Sequence, residues 1–479
     1  MKKTRIQNII LAALGIGICT SCSIDDLSPS NPNESVFASA ESLIIGTYDA
    51  YQKIPANEYL ITELRSDNMD SDSGDGDLGN IQSYRITADM GEAADYWTNN
   101  YSVILNANKV LQLVSDGEEV ADQFIGEAYF MRALSHFNLV RNFLNIPYVD
   151  QVMDETTDVT KLDFAQQTPE ETYEDIIADF LLAKEYLGTY SEKNRANAGA
   201  ASAFLAKAYM SQPVPDYALA KAELDLLVVD DNTYGYALEE SYTDIIQSGN
   251  SNELNNEILF AITYDGSTAV TSGVRFEDQV EGDAQGFSYA MSKNGRAGGM
   301  VYTDDLLNHF LDPTVEPVRG SNPLGTSAVY RYEATEGKYF GNKYYDGTDD
   351  TSEIDFVVLR YADVLLLHAE AIMAGAEFTD DLDAIASYNM VRNRAGVEEL
   401  ATDGTAILSK EDLLLERRLE LSFENHRIYD LNRFGMTTSI LTEFSNNYGY
   451  NFESHHAYLP IPQREIDLTQ GFYVQNDGY

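Results

Sequence analysis

Apolar side chains at helical spacing, repeated in several long segments, constrain the fold of this 479-residue chain more than any other feature. The first such series has intervals of four and three residues and consists of Trp97, Tyr101, Ile104, Asn108 and Leu111. This spacing places the five side chains on one face of a helix. The helix is expected to end near Ser115, where Asp and Gly follow.

A second helix is predicted directly after the first, in the stretch FIGEAYFMRALSHFNLVRNF (residues 124–143). One stripe of this helix mixes small and aromatic side chains, at Gly126, Phe130, Ala133, Phe137 and Val140. Small residues let two helices approach closely while the rings fill the groove between them. The two segments therefore predict a helical hairpin.

The same pattern occurs at two later places. The stretch TPEETYEDIIADFLLAKEYL opens with Thr168 as an N-cap, Pro169 at the first helical position and Glu171 to complete a capping box. Its predicted partner is NAGAASAFLAKAYM, and a third pair is predicted from FVVLRYADVLLLHAEAIMAG (residues 356–375) and DLDAIASYNMVRNRAG (residues 381–396). Such pairs are similar to tetratricopeptide units, although their spacing along the chain is irregular.

From about residue 231 to residue 355 the helical pattern fades. Gly, Asn, Ser, Thr and Tyr are frequent there, and short apolar pieces such as EILFAITY are typical of strands or extended segments. Loops on a rigid scaffold are common places for binding groups. The insert therefore supplies ligand-site candidates, namely Tyr264, Phe276, Phe287, Tyr289, Arg296, Tyr302, Tyr330 and Tyr332.

Both cysteines of the chain, Cys19 and Cys22, lie near the N-terminus. Basic residues precede a short apolar run there, which predicts a secretory signal peptide over residues 1–21. The stretch CTSC resembles a bacterial lipobox, although that pattern prefers an aliphatic residue at the position of Cys19. A zinc or redox site would need further ligands, which six scattered histidines do not supply. We expect Cys22 to be lipidated and residues 22–35 to form a flexible tether.

Net charge limits the partners of the remaining chain. The full sequence has 78 acidic and 31 basic side chains, a formal net charge of −47, which repels nucleic acid, anionic lipid headgroups and most polyanionic polysaccharides. Neutral ligands are therefore favoured, although local basic patches are compatible with this charge. With no further cysteine, the body has no disulfide, and a large apolar core must stabilise it.

Three C-terminal stretches resemble signatures of the SusD/RagB family of outer-membrane lipoproteins from Bacteroidetes: FVVLRYADVLLLHAEA, ERRLELSFENHRIYDLNRFG and YLPIPQREI. Two earlier stretches, WTNNYSVILNANKVL and GEAYFMRALSHFNLVRNF, are similar to N-terminal signatures of that family. The resemblance implies a mainly α, SusD-like fold with four tetratricopeptide-like helical hairpins and a loop-rich ligand-binding region. It implies a single domain over residues 36–479, with hairpins within about 97–230 and 355–435.

The resemblance also implies a function. Proteins of this family sit as a lid over a SusC-like TonB-dependent transporter, capture an oligosaccharide or, in some members, a peptide, and pass it to the barrel. We therefore expect a lipid-anchored glycan-binding protein on the extracellular side of the outer membrane, with a SusC-like partner and without enzymatic activity. An oligopeptide-capture protein of the RagB type and a lipoprotein hydrolase are the alternatives.

Several charged groups have a structural interpretation. Their helical spacing and their place in the family signatures favour structural ion pairs, where the last helices pack, over a catalytic cluster. The residues are Arg360, Asp363, Arg417, Arg418, Glu420, Arg427 and Asp430. The histidines show no nucleophile or zinc spacing. Acidic pairs arise by chance among 78 acids and give no signal for a glycosidase.

The acidic stretch DNMDSDSGDGDLGN (residues 67–80) is the one candidate for metal binding. It does not fit the ligand order of an EF-hand loop in either register. We interpret it as a flexible acidic loop and expect no cofactor, with Ca²⁺ as the alternative at Asp70, Asp72, Asp75 and Asp77. In family members the polar segment before the first paired helix borders the binding face, which adds Asp67, Tyr84 and Arg85 to the ligand-site candidates.

An aromatic platform for a sugar must be built mainly from tyrosine and phenylalanine, because the chain has one Trp and 32 Tyr. The shortage of Trp also makes a peptide ligand more plausible, since peptides are recognised through backbone edges and small pockets. The sequence is compatible with Trp97 in the core and with Trp97 in the aromatic platform. The predicted ligand-binding set is Asp67, Tyr84, Arg85, Trp97, Phe287, Tyr289, Arg296 and Tyr302.

Overall fold

The structure is a computed structural model that describes residues 39–71, 76–153, 158, 164–229, 232–242, 245, 255–263, 300–312, 314–320, 329–333, 338–341, 343 and 355–479. Contacts divide the chain into Met1–Ser39 and a compact unit, Ala40–Tyr479, which holds all elements named below. The predicted signal peptide, Cys22 and the tether lie outside the described residues. Within the described residues, no helix combines the length and apolarity that a membrane span requires.

Fifteen α-helices and eight short strands occur in the described residues. The helices are α1 (Ala40–Tyr51), α2 (Ile54–Glu63), α3 (Gly76–Gln82), α4 (Gly91–Ser115), α5 (Asp122–Phe143), α6 (Pro169–Leu187), α7 (Ala198–Ser211), α8 (Tyr217–Val228), α9 (Asp304–Leu311), α10 (Tyr361–Met373), α11 (Leu382–Arg394), α12 (Lys410–Glu420), α13 (Arg427–Arg433), α14 (Thr437–Tyr448) and α15 (Gln463–Leu468). The strands are β1 (Met69–Ser71), β2 (Ile258–Ile262), β3 (Met300–Tyr302), β4 (Tyr330–Glu333), β5 (Lys338–Gly341), β6 (Phe356–Arg360), β7 (Phe378–Thr379) and β8 (Leu408–Ser409).

Eight of these helices pack in chain order into one continuous array. The order of contact is α1, α4, α5, α6, α7, α8, α10 and α11, so that each helix packs on the one before it. This series of packed helices confirms the mainly α fold with tetratricopeptide-like helical packing. Most buried apolar residues of the array belong to one large cluster, and Ile44, Ala107, Val110 and Ala128 form a second cluster between α1, α4 and α5.

Local sequence signals explain the start and the packing of α6. The Thr168 hydroxyl accepts a hydrogen bond from the Glu171 amide, and the Glu171 side chain accepts one from the Thr168 amide, as the capping box predicts. Helix α5 approaches α6 closely at Gly126, where a Cβ atom would lie 2.7 Å from Cγ of Leu187. The small residue in the predicted stripe is therefore required by packing.

The prediction of a single helix over residues 356–375 is wrong for its first five residues. Phe356–Arg360 forms β6, which pairs antiparallel with β2, and α10 begins only at Tyr361. Four of the five β6 residues are buried. Its sequence therefore lacks the alternation of apolar and polar residues that identifies a half-exposed strand. The extended EILFAITY segment, by contrast, is confirmed as β2.

A small sheet joins the insert to the N-terminal part of the chain. Its strand order is β1-β3-β5-β4, all antiparallel where paired, with Met69 opposite Tyr302 and Ser71 opposite Met300. The acidic stretch therefore contacts the insert through the pairing of β1 with β3. Residues of the insert outside β3, α9, β4 and β5 are mostly outside the described part of the chain.

Buried ion pairs fix the C-terminal helices. The Arg360 guanidinium contacts Glu257, Glu420 and Glu424 at 2.5–2.8 Å. Arg417 binds Asp363 at 2.8 Å and Asp430 at 2.9 Å, with both partners buried. These contacts confirm the interpretation of the charged signature residues as structural ion pairs.

A candidate ligand-binding surface

Asp67 lies inside the protein and binds two arginines. Its carboxylate accepts hydrogen bonds from Arg427 at 2.7 and 2.9 Å and lies 3.1 Å from Arg418 Nη2. Burial alone would raise the pKa of Asp67, but the two guanidinium groups outweigh it and hold the pKa well below its usual range. These contacts give Asp67 a structural role.

The described aromatic candidates are also buried. Trp97 is 3% exposed and packs edge-on against Phe143, with the ring centroids 5.0 Å apart. Tyr302 donates a hydrogen bond of 2.6 Å to the Val329 carbonyl, and Tyr84 donates one of 3.0 Å to the Arg65 carbonyl. Trp97 therefore belongs to the core, Tyr302 is a buried residue of β3, and the buried ring of Tyr84 packs against Phe452 and His456.

Arg85 is the one exposed side chain among the described candidates, and its Nε donates a hydrogen bond of 3.0 Å to Asn80. Phe287, Tyr289 and Arg296 lie outside the described residues. Their place in a ligand site stays a prediction.

The described part of the acidic stretch contains no cluster of three potential metal ligands. Asp70 is half-buried, and Asp77 is exposed in the first turn of α3. Asp72 and Asp75 lie outside the described residues. A Ca²⁺ site in this stretch stays a prediction.

A group of partly exposed aromatic side chains lies next to β1. We call Tyr448, Tyr450 and Phe452, together with Asp70, the tyrosine surface. The rings of Tyr448 and Tyr450 are stacked, with centroids 5.8 Å apart and planes inclined by 21°, over the buried ring of Phe444. Each of the three surface rings is half-buried, so a face or edge of each remains accessible.

The end of α14 sets the position of these rings. Gly449 has a φ of 75°, a left-handed conformation that favours glycine, and it closes the helix with a hydrogen bond to Ser445. The amide of Tyr450 also bonds the Ser445 carbonyl at 2.8 Å, and the amide of Phe452 bonds the Ser445 hydroxyl at 2.9 Å. The turn therefore holds Tyr448 and Tyr450 side by side.

Polar contacts connect the tyrosine surface to the sheet and to α9. The Tyr450 hydroxyl donates a hydrogen bond of 3.2 Å to Asp70 Oδ1, which also accepts one from Gln82. The Tyr448 hydroxyl accepts a bond of 3.2 Å from the Asp304 amide. Burial and the neighbouring Asp70 carboxylate raise the pKa of Tyr450, so this phenol remains a protonated donor at neutral pH.

This arrangement can bind a ring-shaped polar ligand. Aromatic faces provide apolar contact for the C–H groups of a sugar, and the adjacent carboxylate and phenol groups provide hydrogen-bond partners for hydroxyls. The sequence does contain a signal for it, since NNYGYNF places aromatic residues at alternate positions on both sides of a helix-ending glycine. Only the fold shows that this C-terminal segment lies beside β1.

Two family models match this chain. The model described as "SusD family" matches residues 262–479, and the model described as "Starch-binding associating with outer membrane" matches residues 25–210. The chain is 26% identical to SusD-like protein P2 of Formosa agariphila, with 100% of both chains covered.

Solved structures share the fold. A laminarin binding SusD-like protein is 24% identical, with a TM-score of 0.71 over 92% of this chain and 99% of that one. Surface glycan-binding protein A from Bacteroides thetaiotaomicron, solved in complex with laminarihexaose, is 20% identical, with a TM-score of 0.70 over 91% of this chain and 98% of that one.

Proposed function

Because the chain belongs to the SusD/RagB family, we propose that it is a glycan-binding lipoprotein that captures oligosaccharides at the outer membrane without cleaving them. The partner in this proposal is a SusC-like TonB-dependent transporter, to which the captured oligosaccharide is delivered. Lipidation at Cys22 would anchor the chain, and the tether would let it swing over the transporter while attached. The similar structures of a laminarin binding SusD-like protein and of a surface glycan-binding protein in complex with laminarihexaose support the ligand class.

The observation that carries the proposal is the stacked pair of Tyr448 and Tyr450 beside the Asp70 carboxylate. The pair supplies an aromatic platform built from tyrosine, the residue type that the composition requires. It also adjoins β1, which belongs to the acidic stretch, and the start of α9, which belongs to the loop-rich insert. A sugar on this surface would contact side chains from two distant parts of the sequence, Asp70 and the segment from Tyr448 to Phe452.

Calorimetric titration of the soluble chain, begun after Cys22, tests this proposal. The panel contains neutral oligosaccharides, laminarihexaose among them, and a pool of mixed oligopeptides. We expect saturable binding of one neutral glycan class, recovered intact after incubation. Replacement Tyr450→Ala should weaken that binding at least about tenfold, equal to about 1.4 kcal/mol, because it removes the ring and the hydroxyl donor.

A matched control is available on the helical array. Tyr186 forms a similar stacked pair with Tyr129, with centroids 6.0 Å apart, away from β1. Replacement Tyr186→Ala should leave glycan affinity unchanged. Binding of peptides alone would replace the proposed function with oligopeptide capture, and cleavage of the glycan would show a hydrolase.

A further inference from the structure

A separate pocket opens where the ends of α5 and α7 meet the start of α6 and the helix α13. Its volume is about 480 Å³, within the range of small-ligand sites. We call it the arginine pocket, and the lining residues that matter here are Arg141, Tyr173, Gln212, Asn432, Arg433 and Tyr458. The arginine pocket shares no residue with the tyrosine surface.

Both arginines are held in fixed orientations by the protein. The Arg141 guanidinium lies between two rings, 3.8 Å from the centroid of Tyr429 and 4.1 Å from that of Phe137, and its Nη2 donates to Asn138 at 2.7 Å. Arg433 binds Glu370 through Nε and Nη2 at 2.6 and 2.8 Å. Among the described residues, Nη1 of Arg141 and Nη1 of Arg433 have no hydrogen-bond partner.

Other polar groups in the pocket wall also keep unused hydrogen-bonding capacity within the described structure. The side chain of Gln212 and the hydroxyl of Tyr458 have no protein partner there, and Asn432 uses only its oxygen, which accepts from Thr437. The adjoining pocket, which shares Leu144 and Tyr458, differs in this respect. Its amides Gln166 and Gln475 bond the backbone of the protein.

The backbone at the shared wall is strained. Leu144, which ends α5 and lines both pockets, has a φ of 64°, a left-handed value that disfavours a bulky side chain. Leu144 is one of six described non-glycine residues with a positive φ, so the strain is compatible with a functional site but does not by itself single out this pocket.

We propose that the arginine pocket binds the hexuronate unit of an acidic sugar. The Nη1 groups of Arg141 and Arg433 can donate charge-assisted hydrogen bonds to a carboxylate, and the Gln212 and Asn432 amides match hydroxyl groups. The rings of Tyr173 and Tyr458 supply apolar faces. The walls are mainly helical, with no strand edge among the lining elements for pairing with a peptide backbone, which favours a sugar over a peptide.

The charged residues that line the pocket are two arginines and Glu170, an exposed acid at its rim. Each arginine is already paired with buried carboxylates, Arg141 with Glu58 at 3.6 Å and Arg433 with Glu370 at 2.6 Å and Asp430 at 2.9 Å. A carboxylate in the pocket would therefore be held by hydrogen bonds from the two Nη1 groups, and it would meet repulsion from Glu170. Removal of the Glu170 charge should strengthen the binding of an anion and leave the binding of a neutral ligand unchanged.

Titration with D-glucuronic and D-galacturonic acid, against the parent hexoses and sodium acetate, tests this inference. We expect each uronate to bind at least about tenfold more tightly than its neutral parent and than acetate. Replacement Glu170→Gln should tighten uronate binding about twofold to fivefold. Glu174→Gln, which changes an exposed acid one turn along α6, should have no effect.

Loss of binding is tested by Tyr458→Ala, Gln212→Ala and Arg141→Lys, each expected to weaken uronate binding at least about fivefold. Arg141 is largely buried, and its replacement can unfold the chain. If that variant does not fold, the Tyr458→Ala and Gln212→Ala variants decide the result. Equal affinity for uronate and hexose, equal affinity for uronate and acetate, or unchanged binding in the Tyr458→Ala and Gln212→Ala variants would overturn the inference. Tyr450→Ala should leave uronate binding unchanged, so this inference and the proposed function fail separately.

Discussion

Glu63 is a buried carboxyl group that titrates near neutral pH. It has no exposed surface, and its two oxygens accept hydrogen bonds of 3.0 Å from the Asn425 amide and from the Asn68 side chain. Burial raises the pKa of Glu63 to about 7, and these hydrogen bonds and Lys343 only partly oppose the effect. The folded state therefore favours the protonated form.

This shift predicts a fall in stability as pH rises. Because the folded-state pKa of Glu63 is raised, its contribution to the free energy of unfolding is fully present below about pH 4.5 and is lost as pH rises through about 7. The total loss is about 3 kcal/mol. The variant Glu63→Gln cannot titrate, so its free energy of unfolding should fall less steeply over that range. Urea unfolding followed by circular dichroism measures both slopes.

The two chains should have parallel slopes between pH 8 and pH 9, where Glu63 no longer titrates. That upper window serves as the internal control, because the substitution also changes the hydrogen bond to Asn68. Identical slopes between pH 5 and pH 7 would contradict the assignment of a raised pKa to Glu63.

Residue type alone could not separate ligand-site side chains from core side chains. Trp97 and Tyr84 have the chemistry of a sugar platform, yet both are buried, whereas Tyr448 and Tyr450 remain partly exposed. The difference arises from contacts between segments far apart in the sequence, such as Tyr450 with Asp70. The charged signature residues were predictable, because family position and helical spacing both indicated ion pairs.

At the scale of elements, close packing of α5 on α6 depends on Gly126. A Cβ atom there would lie 2.7 Å from Cγ and 2.9 Å from the backbone nitrogen of Leu187, shorter than real contacts allow. Replacement Gly126→Ala should therefore lower the free energy of unfolding by about 1–3 kcal/mol, although alanine is the better helix former. Chemical denaturation measures the change.

Gly91 is the matched control, since it is also a helical glycine. A Cβ atom added at Gly91 would have no neighbouring atom from another part of the structure within 4 Å. Replacement Gly91→Ala at the start of α4 should be neutral or should stabilise the chain by up to about 1 kcal/mol. If Gly126→Ala were as stable as Gly91→Ala, the close approach of α5 and α6 would not be a requirement of the fold.

Helices with a single exposed face were predictable from the sequence, and β6 was not. The spacing from Trp97 and the capping box at Thr168 depend on local chemistry, and both helices form as predicted. The run Phe356–Arg360 is apolar on both faces, and its strand conformation depends on pairing with β2, about one hundred residues earlier. Apolar periodicity does not contain that information.

At the scale of the whole molecule, the segment from Glu63 to Asn68 joins the two ends of the compact unit. Arg418 donates to the Asn68 side chain and Arg427 binds the Asp67 carboxylate, although these partners are about 350 residues apart in sequence. Such contacts form only when the array between them is complete. They should make unfolding cooperative across the compact unit.

Asp67→Asn tests this connection. It leaves Arg418 and Arg427 buried without a full counter-charge, so the free energy of unfolding should fall by about 3–5 kcal/mol at neutral pH. The pKa of Asp67 is lowered in the fold, so its contribution is present above the usual value of 3.8 and is lost as pH falls below it. The difference between wild type and variant should therefore shrink below about pH 4.

Asp305→Asn is the control, because Asp305 binds the same Arg418 at 2.6 Å with a side chain that is 72% exposed. That variant should lower the free energy of unfolding by less than about 1 kcal/mol, because exposed ion pairs contribute little to stability. Thermal unfolding of Asp67→Asn should also give coincident transitions by far-UV circular dichroism and by fluorescence of the one tryptophan, Trp97, on α4. Separate transitions would show that the helical array is stable without the contacts of Asp67, and the segment would then be a local attachment.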